Sequence, residues 1–241
     1  QCAASADVPP LCIVTGGSTG IGAAVCAQLA GKGYRVFSVA RRPCSVQGTQ
    51  SIELDLSDES SVDVVAREVH KELSGGQARV HLIHCASNYP SDSARSVDKA
   101  GLEQALILNV TTPALLTSRL LPYMSTGSSI VFVGSTLSEK SVPNKLSYCS
   151  AKHAMTGLMR AVAQDLLWSG INVALVCPGI TDTPMVRNAV AGQEERFSTF
   201  VKELQGRVLS PDEVASFIVD VAHSPILHGA VLHCNNGQRE R

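Results

Sequence analysis

Tyr148 and Lys152 stand four residues apart in a stretch that reads as the start of a helix, so both side chains share one face and can reach one ligand. A free tyrosine, with a pKa of about 10, is a reluctant proton donor or acceptor at neutral pH unless a nearby cation stabilises its phenolate. Lys152 supplies that cation. Ser135 follows the apolar run Ile130 to Val133, which reads as a strand, so its hydroxyl is expected at the carboxyl edge of a sheet, able to hydrogen-bond a carbonyl oxygen. Together the three could protonate a carbonyl oxygen as negative charge develops on it. The Tyr-x-x-x-Lys spacing alone is weak, since two common helix residues often meet at that spacing on a surface.

A second group lies near the start of the chain, in Thr15-Gly16-Gly17-Ser18-Thr19-Gly20-Ile21-Gly22. The apolar run Leu11 to Val14 precedes it and a helical stretch opens near Ile21. In that context Gly16, Gly20 and Gly22 allow a tight turn and let backbone approach a pyrophosphate at the positive end of a helix, with Ser18, Thr19 and Ile21 as neighbouring contacts. At the end of the next apolar run the chain reads Ser38-Val39-Ala40-Arg41-Arg42, without the acid that would bind the ribose hydroxyls of NAD. An acid there would repel a 2′-phosphate, whereas Arg41 and Arg42 could grip one with charge-assisted hydrogen bonds; the cofactor expected is NADP(H). Asp55 and Leu56 follow the third run and fall where an adenine would lie. Asp55 could accept from the adenine amino group or cap the next helix, as could Ser57 or Asp58.

Short apolar runs alternate with longer amphipathic stretches. The runs are Leu11 to Val14, Arg35 to Ala40, Ser51 to Leu54, Val80 to His84, Ser129 to Val133, Asn172 to Val176 and Val231 to His233; helices are expected over Ile21 to Gly31, Ser60 to Leu73, Leu102 to Met124, Tyr148 to Ser169 and Pro211 to Ala222. This order predicts an α/β fold, a Rossmann-type doubly wound parallel sheet of about seven strands with helices on both faces. The length of 241 residues favours one such domain over 11–237, after a flexible lead-in over 1–10 and before a tail over 238–241. One segment breaks the rhythm. Thr181 to Arg207 carries Pro184 and mixed charges, is long for a strand-to-helix connection, and leaves the sheet where ligands bind, so a substrate lid is expected, with Met185, Val186, Val190 and Phe197 as candidate lining.

A net charge of -1 gives no global field to recruit nucleic acid or an acidic membrane, and no apolar run is long enough to span a bilayer. The expected partner is a small-molecule carbonyl or alcohol substrate. Eight cysteines suggest disulfides, but Cys12, Cys85 and Cys177 sit in apolar runs and no CxxC pair exists. Reduced core cysteines, no metal and a cytoplasmic location are expected.

The joint pattern of glycine turn, Asn109, Ser135, Tyr148-x-x-x-Lys152 and Pro178-Gly179, in this order, resembles the short-chain dehydrogenase/reductase family over essentially Leu11 to Gly237. The resemblance implies that Tyr148 is the general acid in reduction, that Lys152 lowers its pKa and holds the nicotinamide ribose, and that Ser135 polarises the carbonyl. It further implies that Asn109 holds a water linking Lys152 to solvent. Pro178, Gly179, Ile180, Thr181 and Thr183 would pack on the nicotinamide and bond its carboxamide, and subunits would pair through long helices as a homodimer or homotetramer. Two departures stand out. Cys85-Ala86-Ser87 replaces the relatives' Asn-Ala-Gly; Ala86 is retained, while Ser87 adds a side chain where backbone approaches the cofactor. Asn235-Asn236-Gly237 replaces Asp-Gly-Gly.

Two rival readings remain. A 3-oxoacyl-acyl-carrier-protein reductase would need basic residues beside the site mouth, yet Ser125 to Ser129 is neutral and Leu167 to Gly170 carries no cation. A non-catalytic NADP-binding sensor or scaffold would not need Ser135, Tyr148 and Lys152.

Overall fold

In the computed structural model residues 9–238 are described. Residues 1–8 of the expected lead-in and the last three residues of the expected tail lie outside them. Seven parallel strands form one sheet in the order β3-β2-β1-β4-β5-β6-β7: β1 (Leu11–Thr15), β2 (Arg35–Ala40), β3 (Thr49–Glu53), β4 (Val80–His84), β5 (Ser129–Val133), β6 (Asn172–Pro178) and β7 (Val231–Cys234). The direction of winding reverses between β1 and β4, and a doubly wound sheet opens its ligand crevice at that point, outside the strands' carboxyl ends. Thr15 pairs in register with His84, so the turn after β1 and the turn after β4 leave the sheet side by side.

Successive side chains on a strand point to opposite faces, and here both faces are covered. Leu11 and Ile13 of β1 join Leu82, Ile130 and Phe132 beneath α2 (Ser60–Glu72), α4 (Thr112–Leu120) and α5 (Leu146–Asp165). Cys12 and Val14 join Ile83, Val131 and Val176 beneath α1 (Gly20–Gly31) and α8 (Pro211–Ala222). Cys12 and Cys177 are therefore core residues of β1 and β6, whereas Cys85 lies one residue beyond β4. All seven cysteines among the described residues are free thiols. Burial of a side chain such as Phe132 contributes about 2 kcal/mol, and the continuous burial of β1, β4, β5 and β6 is why those strands read as mainly apolar runs.

Several boundaries differ from expectation for identifiable reasons. β3 is an edge strand with Gln50 and Glu53 exposed, so its start at Thr49 carries no apolar signal. The helix expected over Leu102 to Met124 is three pieces: α3 (Lys99–Leu106), a π-turn over Ile107–Thr111 and α4, followed by a 3-10 turn over Leu121–Tyr123. Pro113 has no N–H for the carbonyl of Asn109, while Thr112 N–H reaches back five residues to Ile107 O. α5 ends at Asp165 because Trp168 and Gly170 take left-handed φ values of 68° and 79°. The segment expected as a lid holds two largely exposed helices, α6 (Pro184–Ala189) and α7 (Glu194–Leu204).

Candidate active site

A cavity of about 350 Å³ runs along the carboxyl edge of the sheet across β1 and β4. Its middle is the glycine turn. Gly16 has φ 69°, and a Cβ there would come within 2.8 Å of the Ala86 backbone, so only glycine lets these two turns lie together. A Cβ on Gly22 would run into the Gly16 carbonyl, which is how closely α1 crosses the turn. Ser18, Thr19, Gly20 and Ile21 line the same stretch. Thr19 precedes α1 in an extended conformation and makes no side-chain cap, leaving the helix's first N–H groups for an anion in the cavity. This uncapped, glycine-paved helix start fits a dinucleotide pyrophosphate.

At one end the cavity is lined by Arg41 and Arg42, just past β2, and by Asp55 and Leu56, past β3. Asp55 caps no helix. Its Oδ1 accepts from Ser57 N (2.9 Å) and Ser57 Oγ (2.6 Å), which hold its carboxyl below the usual range, assisted by the charge of Arg41. Asp58 instead accepts from Ser60 N at the start of α2.

At the other end stand Tyr148 and Lys152, one turn apart on α5, with Ala86 and Ser87 beside them. Lys152 is 2% exposed and donates from Nζ to Val133 O at 2.9 Å; burial pulls its pKa down to about 8. Its ammonium lies 5.7 Å from the centre of the Tyr148 ring. Burial pushes the Tyr148 phenol well above its ordinary value, and a hydrogen bond with the Ser135 side chain works against that rise. The oxygen of Ser135 accepts Leu137 N–H at 3.1 Å, capping the 3-10 turn Thr136–Ser138, so its own proton is free to be given to a ligand or to Tyr148. Asn109 is fully buried in the π-turn, its Nδ2 donating to Ala105 O at 2.9 Å.

Thr183 borders the cavity, its methyl 3.2 Å from where a Cβ on Gly20 would lie. Pro178, Gly179, Ile180 and Thr181 do not line it, contrary to expectation. Gln205, 3% exposed just past the end of α7, takes the backbone polar groups of Ile180: Oε1 accepts Ile180 N at 2.8 Å and Nε2 donates to Ile180 O at 3.0 Å. A Cβ on Gly179 would overlap Gln205 Oε1, so this glycine makes room for protein. Of the lid's candidate apolar lining, Met185 borders the cavity; Val186, Val190 and Phe197 do not.

The description "short chain dehydrogenase" matches residues 11–194. The chain belongs to the short chain dehydrogenase family. It is similar to the cis-4-hydroxycyclohexanecarboxylate dehydrogenase of Sinomonas cyclohexanicum, 30% identical over 239 residues that cover 93% of this chain and 94% of that protein. It is also similar to a 3-oxoacyl-[acyl-carrier-protein] reductase of Rattus norvegicus, 28% identical over 235 residues, covering 94% and 97%. Among solved structures, the ligand-free aldohexose dehydrogenase of Thermoplasma acidophilum superposes with a TM-score of 0.87 at 25% identity, covering 95% of this chain and 93% of that one. This short chain dehydrogenase is thus an oxidoreductase acting on CH–OH and C=O groups of small molecules, with a nicotinamide cofactor. No helix among the described residues is long and apolar enough to cross a membrane.

Sequence reasoning missed how the helix that carries Tyr148 and Lys152 is held. α5 has no cap from its own N-terminal residue. Asp92, from the loop after β4, supplies one: Oδ1 accepts Ser147 N at 3.0 Å and Oδ2 accepts the Ser147 hydroxyl. Lys145 reinforces the join by donating to Pro90 O at 3.1 Å and lying 3.6 Å from the centre of the Tyr89 ring, which meets Tyr148 edge to face at 4.7 Å. A loop aspartate carries no local pattern that points to a helix so distant in sequence. Gln205 was equally invisible.

Proposed function

We propose that this dehydrogenase works as an NADPH-dependent carbonyl reductase with Tyr148 as proton donor. The observation that carries the reading is one cavity with Tyr148 and Lys152 at one end, the Ser135 side chain hydrogen-bonded to Tyr148, and, at the other end, a strand closing on Ala40-Arg41-Arg42 with no carboxylate.

NADPH, when bound, supplies a hydride to the carbonyl carbon. Ser135 donates its hydroxyl proton to the carbonyl oxygen, polarising the bond and fixing its direction. Burial keeps Tyr148 protonated at neutral pH, so it is an acid when alkoxide charge develops on that oxygen, and its Oη proton completes the alcohol. Lys152, tied to Val133 O, keeps its ammonium close enough to stabilise the phenolate left behind. The Asn109 carbonyl, which Pro113 cannot engage, offers a water position from which protons return to Lys152. Arg41 and Arg42 would take the 2′-phosphate, the start of α1 the pyrophosphate, and Thr183 the carboxamide. The segment over 181–207 would act as a lid through its cavity-bordering edge at Thr183 to Met185.

A panel of ketones and aldehydes, followed by loss of NADPH absorbance, tests the reading; tight NADPH binding without turnover of any member would favour a sensor. The rat relative's activity makes a 3-oxoacyl thioester on an acidic carrier protein the second reading, and salt-sensitive binding of such a carrier would support it. The resemblance to homodimeric and homotetrameric enzymes is checked by light scattering.

A further inference from the structure

Ser87 looked, in sequence, like an intrusion into the space where backbone meets cofactor. Its side chain has a partner that suggests a different role. Ser87 Oγ donates to Asn109 Oδ1 at 2.8 Å, and a more distant acceptor, Asn88 O, lies at 3.2 Å. A serine hydroxyl has one proton, so the shorter contact to the amide oxygen takes it. Asn109 is 0% exposed, and its other polar atom, Nδ2, is committed to Ala105 O. An amide oxygen buried to that degree needs a donor, and Ser87 is the one that reaches it.

We propose that Ser87 is a positioning residue of this short chain dehydrogenase. Its hydroxyl locks the Asn109 amide, and with it the π-turn over Ile107–Thr111, against the cavity wall. The lock joins two pieces of backbone that no strand pairing connects, the turn after β4 and the irregular turn between α3 and α4. Ser87 borders the cavity, so with its proton directed inward its lone pairs accept from a hydroxyl or a water on the cavity side. Donation in one direction strengthens acceptance in the other. The main-chain carbonyl of Asn109, which Pro113 cannot engage, is thereby held in one place relative to Lys152. A glycine at 87 cannot make this lock, and an alanine fills the space without a proton to give.

The inference rests on the proton-return reading given above, and two measurements on the full chain separate their fates. Ser87→Ala and Ser87→Thr are compared with the unaltered protein. In hydrogen exchange read by mass spectrometry on the ligand-free protein, Ser87→Ala is expected to speed exchange over residues 107–112 by about tenfold, with Ser87→Thr close to the parent. In steady-state turnover of whichever carbonyl compound the panel returns, Ser87→Ala is expected to lower kcat by about tenfold and NADPH affinity by no more than about threefold, as loss of one buried hydrogen bond would. It should also displace the basic limb of the kcat–pH profile, and Ser87→Thr should restore both. Unchanged exchange in Ser87→Ala overturns the lock. Faster exchange with an unmoved pH profile, or a loss confined to NADPH affinity, overturns its bearing on proton return. Absence of carbonyl turnover in the unaltered protein would sink the reductase reading, while the exchange experiment still decides the lock.

Discussion

At the Tyr148 end of the cavity the polar side chains are buried and bonded to protein, whereas at the Arg41 end they stand in water. Lys152 and Asn109 are 2% and 0% exposed, and each has a backbone carbonyl as partner. Arg41 and Arg42 are exposed side chains on the turn that follows β2. The contrast is one of physical strategy. Proton transfer needs donor and acceptor fixed to a fraction of an ångström and a low-dielectric setting in which one charge matters. Choosing between two cofactors that differ by a phosphate needs only the sign of a charge within reach, which screened, mobile guanidinium groups can provide.

The largest expected effect is at the buried end. Tyr148→Phe removes one proton and little volume, so kcat should fall by roughly 10² to 10⁴ while NADPH binding, followed by fluorescence titration, stays within about twofold. Undiminished turnover would remove Tyr148 from its role. At the exposed end, Arg41→Asp should weaken NADPH by roughly tenfold to a hundredfold and leave NADH nearly untouched, with the difference shrinking as salt rises. An unchanged ratio of the two affinities, or one indifferent to salt, would erase the assigned division of labour.

Two pH effects sharpen the same contrast. Burial lowers the pKa of Lys152 to about 8, so its charged form is present below that value and lost above it. Reductive kcat should therefore decline as pH rises past 8, by up to about tenfold per unit; a flat profile to pH 10 would show that the lysine charge does not matter. The smallest effect is on stability and lies away from the cavity. Burial lowers His81 to about 4 and His84 to about 3. Between pH 6.5 and those values the unfolded chain takes up protons that the folded one refuses, so stability is full above pH 6.5 and drains as pH falls. Urea midpoints measured from pH 7 to 4.5 should show this slope, and His84→Gln should reduce it by about 1.4 kcal/mol per pH unit. An identical slope in the variant would mean that His84 titrates normally in the fold.

Much of the molecule was legible because its signals are local. β1, β4, β5 and β6 are buried on both faces and so appear as apolar runs, and the glycine turn announces itself by residues that only a crowded turn requires. β3 was misplaced by two residues at its start because an edge strand owes its position to pairing with β2 rather than to its own apolar content. The π-turn did have a signal, Pro113, whose missing N–H leaves the Asn109 carbonyl without its helical donor. Pro178 to Thr181 stand outside the cavity lining for a tertiary reason: Gln205 reaches in from the end of α7 and takes the backbone polar groups of Ile180.

The amino-acid sequence by itself determined the doubly wound sheet, the glycine turn and the Tyr148, Lys152 and Ser135 set, because strand periodicity, a tight turn and one helical face are properties of neighbours along the chain. Tertiary structure alone decided that Asp92 would cap α5, that Gln205 would occupy the turn after β6, and that Ser87 would face Asn109. Each of those contacts is a hydrogen bond between groups far apart in sequence, and a donor's need for an acceptor leaves no periodicity to read until the chain has brought the two together.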